Sequence, residues 1–260
     1  VLSQIREMIQ LPQTVYWIGC SGFYYKDWIG TFYPSNIKEQ KLLEYYSSFF
    51  NTVEIDSTFY EWPKKGTIIS WATKTPKNFR FSFKLPKIIT HDKKLFHVEK
   101  DVDKFLKLLS PIMQKNKLGV ILVQLPPSMG INLEKLKDFL NIIPSGVRFA
   151  IEFRRQSWLV NETFELLRKY NIAYVIVDEP LLPPLIEITA NFSYIRFHGK
   201  GKKIWYYYKY KNEELEKWVP RIRPLEKKVN EIYIYFNNHF RGYAPSNALT
   251  LKSLLGLGVR

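Results

Sequence analysis

The segment Arg148–Leu159, RFAIEFRRQSWL, sets an acid, Glu152, two residues before a guanidinium, Arg154. Phe149, Ile151 and Phe153 fill the alternate positions. Successive strand side chains point to opposite faces, so as a strand this segment is charged on one face and apolar on the other. The pattern recurs. TVEIDST sets Glu54 and Asp56 against Val53 and Ile55. FRFSFK sets Arg80, Ser82 and Lys84 against Phe79, Phe81 and Phe83, and SYIRFHG sets Arg196 and His198 against Ile195 and Phe197. Asp178 closes YVIVD, Gln124 closes LGVILVQ, and Asn237 and Asn238 close EIYIYFNN.

These residue types suit acid–base chemistry on an anion. Glu54, Asp56, Glu152 and Asp178 are candidate acids or bases if burial or a neighbouring charge tunes them. His198 exchanges protons near neutrality with little tuning. Arg154, Arg196 and Lys84 can hold a carboxylate or phosphate, and arginine can grip two oxygens at once. The turn at Ser21 and Gly22 can offer backbone N–H groups to an anion. Tyr24, Trp28, Tyr60 and Trp158 follow the ends of strand-like segments, where aromatic rings can stack on a sugar, a base or another planar ligand. The competing reading is a ring of mutually satisfied salt bridges, since buried charges must be paired in any fold. Glu54, Glu152, Asp178 and His198 also admit a divalent metal, although no H-E-x-x-H or comparable ligand spacing occurs.

Strand-like and helix-like segments alternate along the chain. Strand-like runs fall at 15–20, 52–56, 79–85, 118–125, 148–154, 172–179, 192–199 and 231–238, most followed by a helix-like run. Such alternation predicts a parallel sheet covered by helices. Eight units in 260 residues predict a single (β/α)8 barrel domain over 1–260, with residues 1–14 as an N-terminal extension. Pro180, Pro183 and Pro184 predict an irregular connection between the sixth and seventh strands. In a barrel the apolar faces meet the helices. The polar strand ends then converge at the C-terminal mouth, where barrel enzymes keep their active sites.

Composition narrows the partners. With 46% hydrophobic residues the chain is a folding one. No apolar run reaches the roughly 18 residues of a membrane span, and no signal-peptide pattern stands at the start, so a cytoplasmic protein without a membrane partner is expected. Cys20 is the one cysteine, which rules out an internal disulfide. The Lys, Ile and Tyr richness fits a thermophile's composition. A net charge of +15 fits a Lys-rich surface or a polyanionic partner. IWYYYKY (204–210) interleaves rings with cations as nucleic-acid contacts do. GKGKK (199–203) lies where barrel loops often take phosphate. Nothing in the sequence bears on oligomeric state.

The chain also resembles the DUF72 (YecE-like) family. The resemblance rests on IGCSGFYYKDWIGTFYP (18–34), FNTVEIDSTFYEWPKKGTIISWATKTPKNFRFSFKLPKIITH (50–91), EFRRQSW (152–158), YIRFHGK (194–200) and YIYFNNHFRGYAPSNALTL (233–251). Cys20 stands where the family often has Thr, and Arg155 where a His often follows the E-F-R. The resemblance implies a TIM-type barrel and a site at its mouth; it carries no settled reaction. The expectation is an enzyme acting by acid–base chemistry on an anionic, phosphate-bearing substrate, with hydrolase, lyase and isomerase all open. The alternative is a nucleic-acid-binding protein or nuclease.

Overall fold

The computed structural model describes residues 14–258. The expected N-terminal extension therefore lies, except for Thr14, outside the described residues. Eight parallel strands, β1 Val15–Cys20, β2 Thr52–Ile55, β3 Arg80–Lys84, β4 Leu118–Gln124, β5 Arg148–Glu152, β6 Ala173–Asp178, β7 Phe192–Phe197 and β8 Glu231–Phe236, pair in the order β1-β8-β7-β6-β5-β4-β3-β2. The seam between β1 and β2 is closed by a parallel bridge of Ser21 with Glu54, with the Gly22 N–H donating to the Glu54 carbonyl at 2.7 Å. Lower in the seam, the Tyr46 hydroxyl accepts from the Cys20 N–H and donates to the Thr52 carbonyl. Gly19 permits this approach, because a Cβ there would lie 2.2 Å from the Thr52 carbonyl oxygen. The result is a nearly closed (β/α)8 barrel, as the strand–helix alternation predicts.

Helices cover the outer face: α1 Leu42–Phe49, α2 Lys65–Lys74, α3 Glu99–Leu108, α4 Ser110–Gln114, α5 Leu133–Asn141, α6 Asn161–Lys169, α7 Asn212–Glu216, α8 Val219–Ile222 and α9 Tyr243–Leu254. The side chain of Asn132 caps α5 by accepting from the Lys135 N–H, satisfying one of the orphan donors of its first turn. Pro111 sits in the first turn of α4. It cannot continue α3, because it lacks the N–H that an unbroken helix would use. No helix spans the Pro-rich connection between β6 and β7. No helix of the described residues is long and apolar enough to cross a membrane.

The two strand faces build two cores. Val53, Ile55, Phe79, Phe81, Phe83, Phe149, Ile151, Phe153, Ile195 and Phe197 pack outward among the helices. Each fully buried Phe or Ile of this set is worth about 1.5–3 kcal/mol over its exposed state. Inside the barrel, Trp17, Val120, Leu122, Ala150, Val175, Tyr194, Tyr233 and Tyr235 form a second cluster. Its upper edge turns polar: the Tyr235 hydroxyl meets Thr52 and Ser82 at 2.6 and 2.8 Å. The barrel thus grades from an apolar base to a charged mouth, and the grading decides where charge can be held.

Candidate active site

The C-terminal end of the barrel holds two layers. The lower is an ion network centred on Arg196 of β7, which is fully buried. Its guanidinium donates to Glu54 of β2 through Nε at 3.1 Å and Nη2 at 2.7 Å. It also donates to Glu152 of β5 through Nη1 at 2.6 Å, and to Asp56 at 3.1 Å. Glu54 further accepts from the hydroxyls of Ser21 and Tyr194, each at 2.5 Å. Glu152 accepts in addition from Gln124 at 2.8 Å, Arg154 at 2.8 Å and His198 at 3.1 Å. Four donors on one carboxylate outweigh the cost of its burial. Arg196, His198 and Arg154 hold Glu152 well below the usual carboxylate range. Burial and the neighbouring Asp56 carboxylate push Glu54 up against the pull of Arg196.

Above this network opens a cleft of about 310 Å³ lined by Tyr25, Asp56, Tyr60, Lys84, Gln124, Arg154, His198, Trp205, Tyr206, Asn237 and His239. Burial lowers His198 to about 4, so the imidazole is neutral at pH 7. A neutral ring between these partners carries its proton on Nε2, toward Glu152, and accepts on Nδ1 from the Asn237 amide at 3.1 Å. The Arg154 guanidinium lies over the Trp205 ring, 4.8 Å from its centroid. His239 is stacked between Tyr25 at 4.5 Å and Tyr206 at 4.4 Å. Lys84 differs from every other cation here. Its Nζ sits 4.1 Å from the centroid of Phe59 and has no hydrogen bond or ion pair among the described residues. Burial lowers it against the attraction of Asp56. Beside it, Oδ1 of Asp56 is buried without a hydrogen-bond partner among the described residues.

Of the residues the sequence singled out, Asp56, Tyr60, Lys84, Gln124, Arg154, His198 and Asn237 line this cleft. Tyr24, whose hydroxyl donates to Glu39, lines an adjoining apolar groove with Phe23, Tyr25, Tyr60 and Trp71. Glu54, Glu152 and Arg196 lie beneath the floor. Three carboxylates engage Arg196, so it is no anion clamp, and the four donors that hold Glu152 well below the usual carboxylate range make it a weak general base. The Ser21 and Gly22 N–H groups close the barrel seam, donating to Phe236 and Glu54 carbonyls, so they form no anion nest.

Asp178 faces away from the cleft. Tyr174 and Ile176 set its phase on the outer face, and its carboxylate meets Trp218 Nε1 at 3.2 Å and Lys200 Nζ at 3.1 Å. Asn238 likewise points outward, donating to Asn247 and the Tyr208 carbonyl. Trp28 and Trp158 are fully buried, their indole N–H groups donating to the carbonyls of His239 and Met129. All four support the loops around the mouth rather than line it.

Sequence reasoning passed over Tyr194 and Glu179. Tyr194 shares the inward phase of Arg196, a signal present in SYIRFHG. Glu179 follows Asp178 on the mouth-facing phase, and burial raises it against the pull of Arg154. The IWYYYKY run is largely engaged in packing. Trp205 supports Arg154, Tyr206 stacks on His239, Tyr207 on Phe240, and Tyr210 is buried. In the GKGKK loop, Gly199 has φ of 87° and the Trp205 carbonyl oxygen lies 2.2 Å from where a Cβ would stand; the glycine lets the loop fold over the mouth. Among the described residues, no group of three or more His, Cys, Asp or Glu is arranged to hold a metal ion.

Comparison with known proteins places this architecture in a family. The chain is 28% identical to the UPF0759 protein YunF of Bacillus subtilis (strain 168), over 93% of this chain and 95% of that protein. It is 35% identical to the UPF0759 protein YecE of Escherichia coli (strain K12), over 80% of this chain and 84% of that one. A DUF72 family protein from Thermotoga maritima MSB8, known from its crystal structure, superposes with a TM-score of 0.82 at 33% identity, over 93% of this chain and 99% of that chain. A DUF72 family protein from Enterococcus faecalis V583 gives 0.81 at 24% identity, over 95% and 100% of the two chains, a likeness of fold. The family model described as "Protein of unknown function DUF72" matches residues 17–260. The chain belongs to the DUF72 family.

Proposed function

We propose that the cleft at the barrel mouth is the active site of an enzyme acting by acid–base chemistry on a small anionic, phosphate-bearing substrate. One observation carries this reading: a buried lysine amine, Lys84, with no hydrogen bond or ion pair among the described residues, lines a substrate-sized cleft together with Arg154. A buried cation without a partner is costly, and an anion entering the cleft relieves that cost. Arg154 gives Glu152 one contact through Nη1; its stacking on Trp205 fixes the plane in which its remaining donors meet an anion.

His198 is the proton acceptor. Glu152 fixes its tautomer and would stabilise the imidazolium formed on accepting a proton, while Nδ1 is the accepting position once the Asn237 amide gives way to substrate. The carboxylates below position these groups and do not turn over protons themselves. The nucleic-acid alternative rests on the net charge of +15 and on an aromatic run that is largely packed against the β8 loop, so it receives no comparable support from the cleft.

Calorimetric titration with inorganic phosphate and small phosphomonoesters tests the assignment. Affinity should fall by about tenfold or more in Arg154→Gln, the loss of roughly one charge-assisted hydrogen bond. Unchanged affinity in that variant, or no binding to the parent, would remove the proposal.

A further inference from the structure

Lys84 has more than a charge to offer. Its amine ends β3 at the cleft wall, 8% exposed, against the face of Phe59. Arg196, which lies below, has all its carboxylate partners already. Asp56, the main carboxylate acting on Lys84, gives Oδ2 to Arg196 and leaves Oδ1 buried without a donor. Glu152 and Glu54 attract Lys84 from a greater remove, and Arg196 repels it. On the far side it faces His91, which it in turn depresses. Burial against an aromatic ring and beside a second cation is the setting in which a lysine becomes a nucleophile rather than a point charge.

Resting on the reading of the cleft as an anion-binding active site, we propose that Lys84 captures the carbonyl group of its substrate as an imine, so that the substrate class is a small anionic aldehyde or ketone such as an oxo acid or a sugar phosphate. The step balances without a further reactant. The nitrogen lone pair forms a bond to the carbonyl carbon, and the C–O bond electrons pass to oxygen. Of the three protons of the Lys84 ammonium, two end on the departing oxygen as water and one stays on the iminium nitrogen. The net change is ammonium plus carbonyl to iminium plus water, with nothing oxidised or reduced. Arg154 holds the anionic group of the substrate. His198, which lines the same cleft from the end of β7 across the mouth, is placed to take a proton from the carbon next to the iminium, where the positive nitrogen makes that proton acidic. The orphan Oδ1 of Asp56 is an acceptor for the iminium N–H or for a hydroxyl on the captured carbon.

The test uses the full chain and needs no natural substrate. The parent is incubated at neutral pH with substoichiometric glyoxylate and cyanoborohydride, which reduces an imine and leaves a stable adduct, and in a parallel arm with pyruvate. Intact mass and peptide mapping then locate the label. The expected result is a single adduct per chain on Lys84, formed at least about tenfold faster than on any surface lysine, and its disappearance in Lys84→Arg and Lys84→Met. Label scattered over surface lysines with Lys84 unmodified overturns the inference. If phosphate still stabilises that same parent preparation, the carbonyl chemistry alone falls and the anion site stands; if it does not, both fall. The parent result does not depend on any variant folding.

Discussion

Arg196 and Lys84 reach the same end of the barrel, from β7 and β3, and both are buried. Arg196 contacts three carboxylates, from Glu54, Glu152 and Asp56. Lys84 has the face of Phe59 and no ion pair among the described residues. The first arrangement is closed around its buried acids: Glu54 and Glu152 lie against one guanidinium and are met in addition by Ser21, Tyr194, Gln124 or His198, while the half-buried Asp56 gives it Oδ2 alone. The second is open. The difference teaches that convergence of charged residues at a barrel mouth does not by itself mark a site. Both layers converge, and only the layer with unmet donors and acceptors has anything left for a ligand.

The comparison breaks first at Glu152. Changing Glu152→Gln removes the negative charge from beneath Arg196, Arg154 and His198 while keeping the shape. The expected loss is on the order of 3–5 kcal/mol, the cost of leaving a buried cation underpaired. Urea denaturation at neutral pH measures it; a loss below about 1 kcal/mol would mean the network is not what holds the mouth together.

Next comes pH. His198 is held at about 4, below its ordinary 6.5. As pH falls through that interval the unfolded chain takes up a proton that the folded chain refuses. The stabilisation is fully present above about 6.5 and is lost progressively toward about 4, amounting to roughly 3 kcal/mol at most. Glu54, raised in the folded state, acts in the opposite sense, but it is present in both proteins compared. Stability of the parent should therefore fall more steeply between pH 6.5 and 4 than that of His198→Gln. Parallel profiles would show that the imidazole is not sequestered.

How much of this was legible from the sequence follows from the same two layers. Period-two alternation against clearly apolar neighbours put Glu54, Glu152, Arg196 and His198 at one end of the barrel, because Val53, Ile151 and Ile195 reveal the outer phase. In β6 the signal fails. Val175 and Val177 point inward and Tyr174 and Ile176 outward, so an apolar run on both faces hides the phase, and Asp178 was read as facing in when Glu179 does. Asn238, expected at the mouth, turns outward for a related reason, since the alternation of Tyr233 and Tyr235 with Ile232 and Ile234 sets aromatic against aliphatic residues, both apolar. Trp28 and Trp158 lie on loops, where burial has no period. Whether a given cation is already paired depends on strand register, such as Gln124 beside Glu152, and register across a barrel is set by closure and not by any one segment.

Smaller effects sharpen the contrast. Lys84→Met should change stability by less than about 1 kcal/mol, in either direction, because an apolar side chain of similar length replaces a buried amine that lacks an ion-pair partner among the described residues; equilibrium unfolding beside the parent measures this. Smaller still, Tyr60→Ala should stay within about 0.5 kcal/mol, since Tyr60 is 82% exposed, while weakening phosphomonoesters with bulky organic groups more than inorganic phosphate in the same calorimetric titration.

The central claim, an open anion site standing on a closed structural network, is tested most directly by melting the parent, Glu152→Gln and Lys84→Met across a range of inorganic phosphate concentrations. A ligand that binds the native state raises its melting temperature by mass action. The parent should show a saturable rise, Glu152→Gln a lowered starting temperature with a retained rise, and Lys84→Met a near-parental starting temperature with no rise. A Lys84→Met protein that melts as early as Glu152→Gln, or that still rises with phosphate as the parent does, would contradict it.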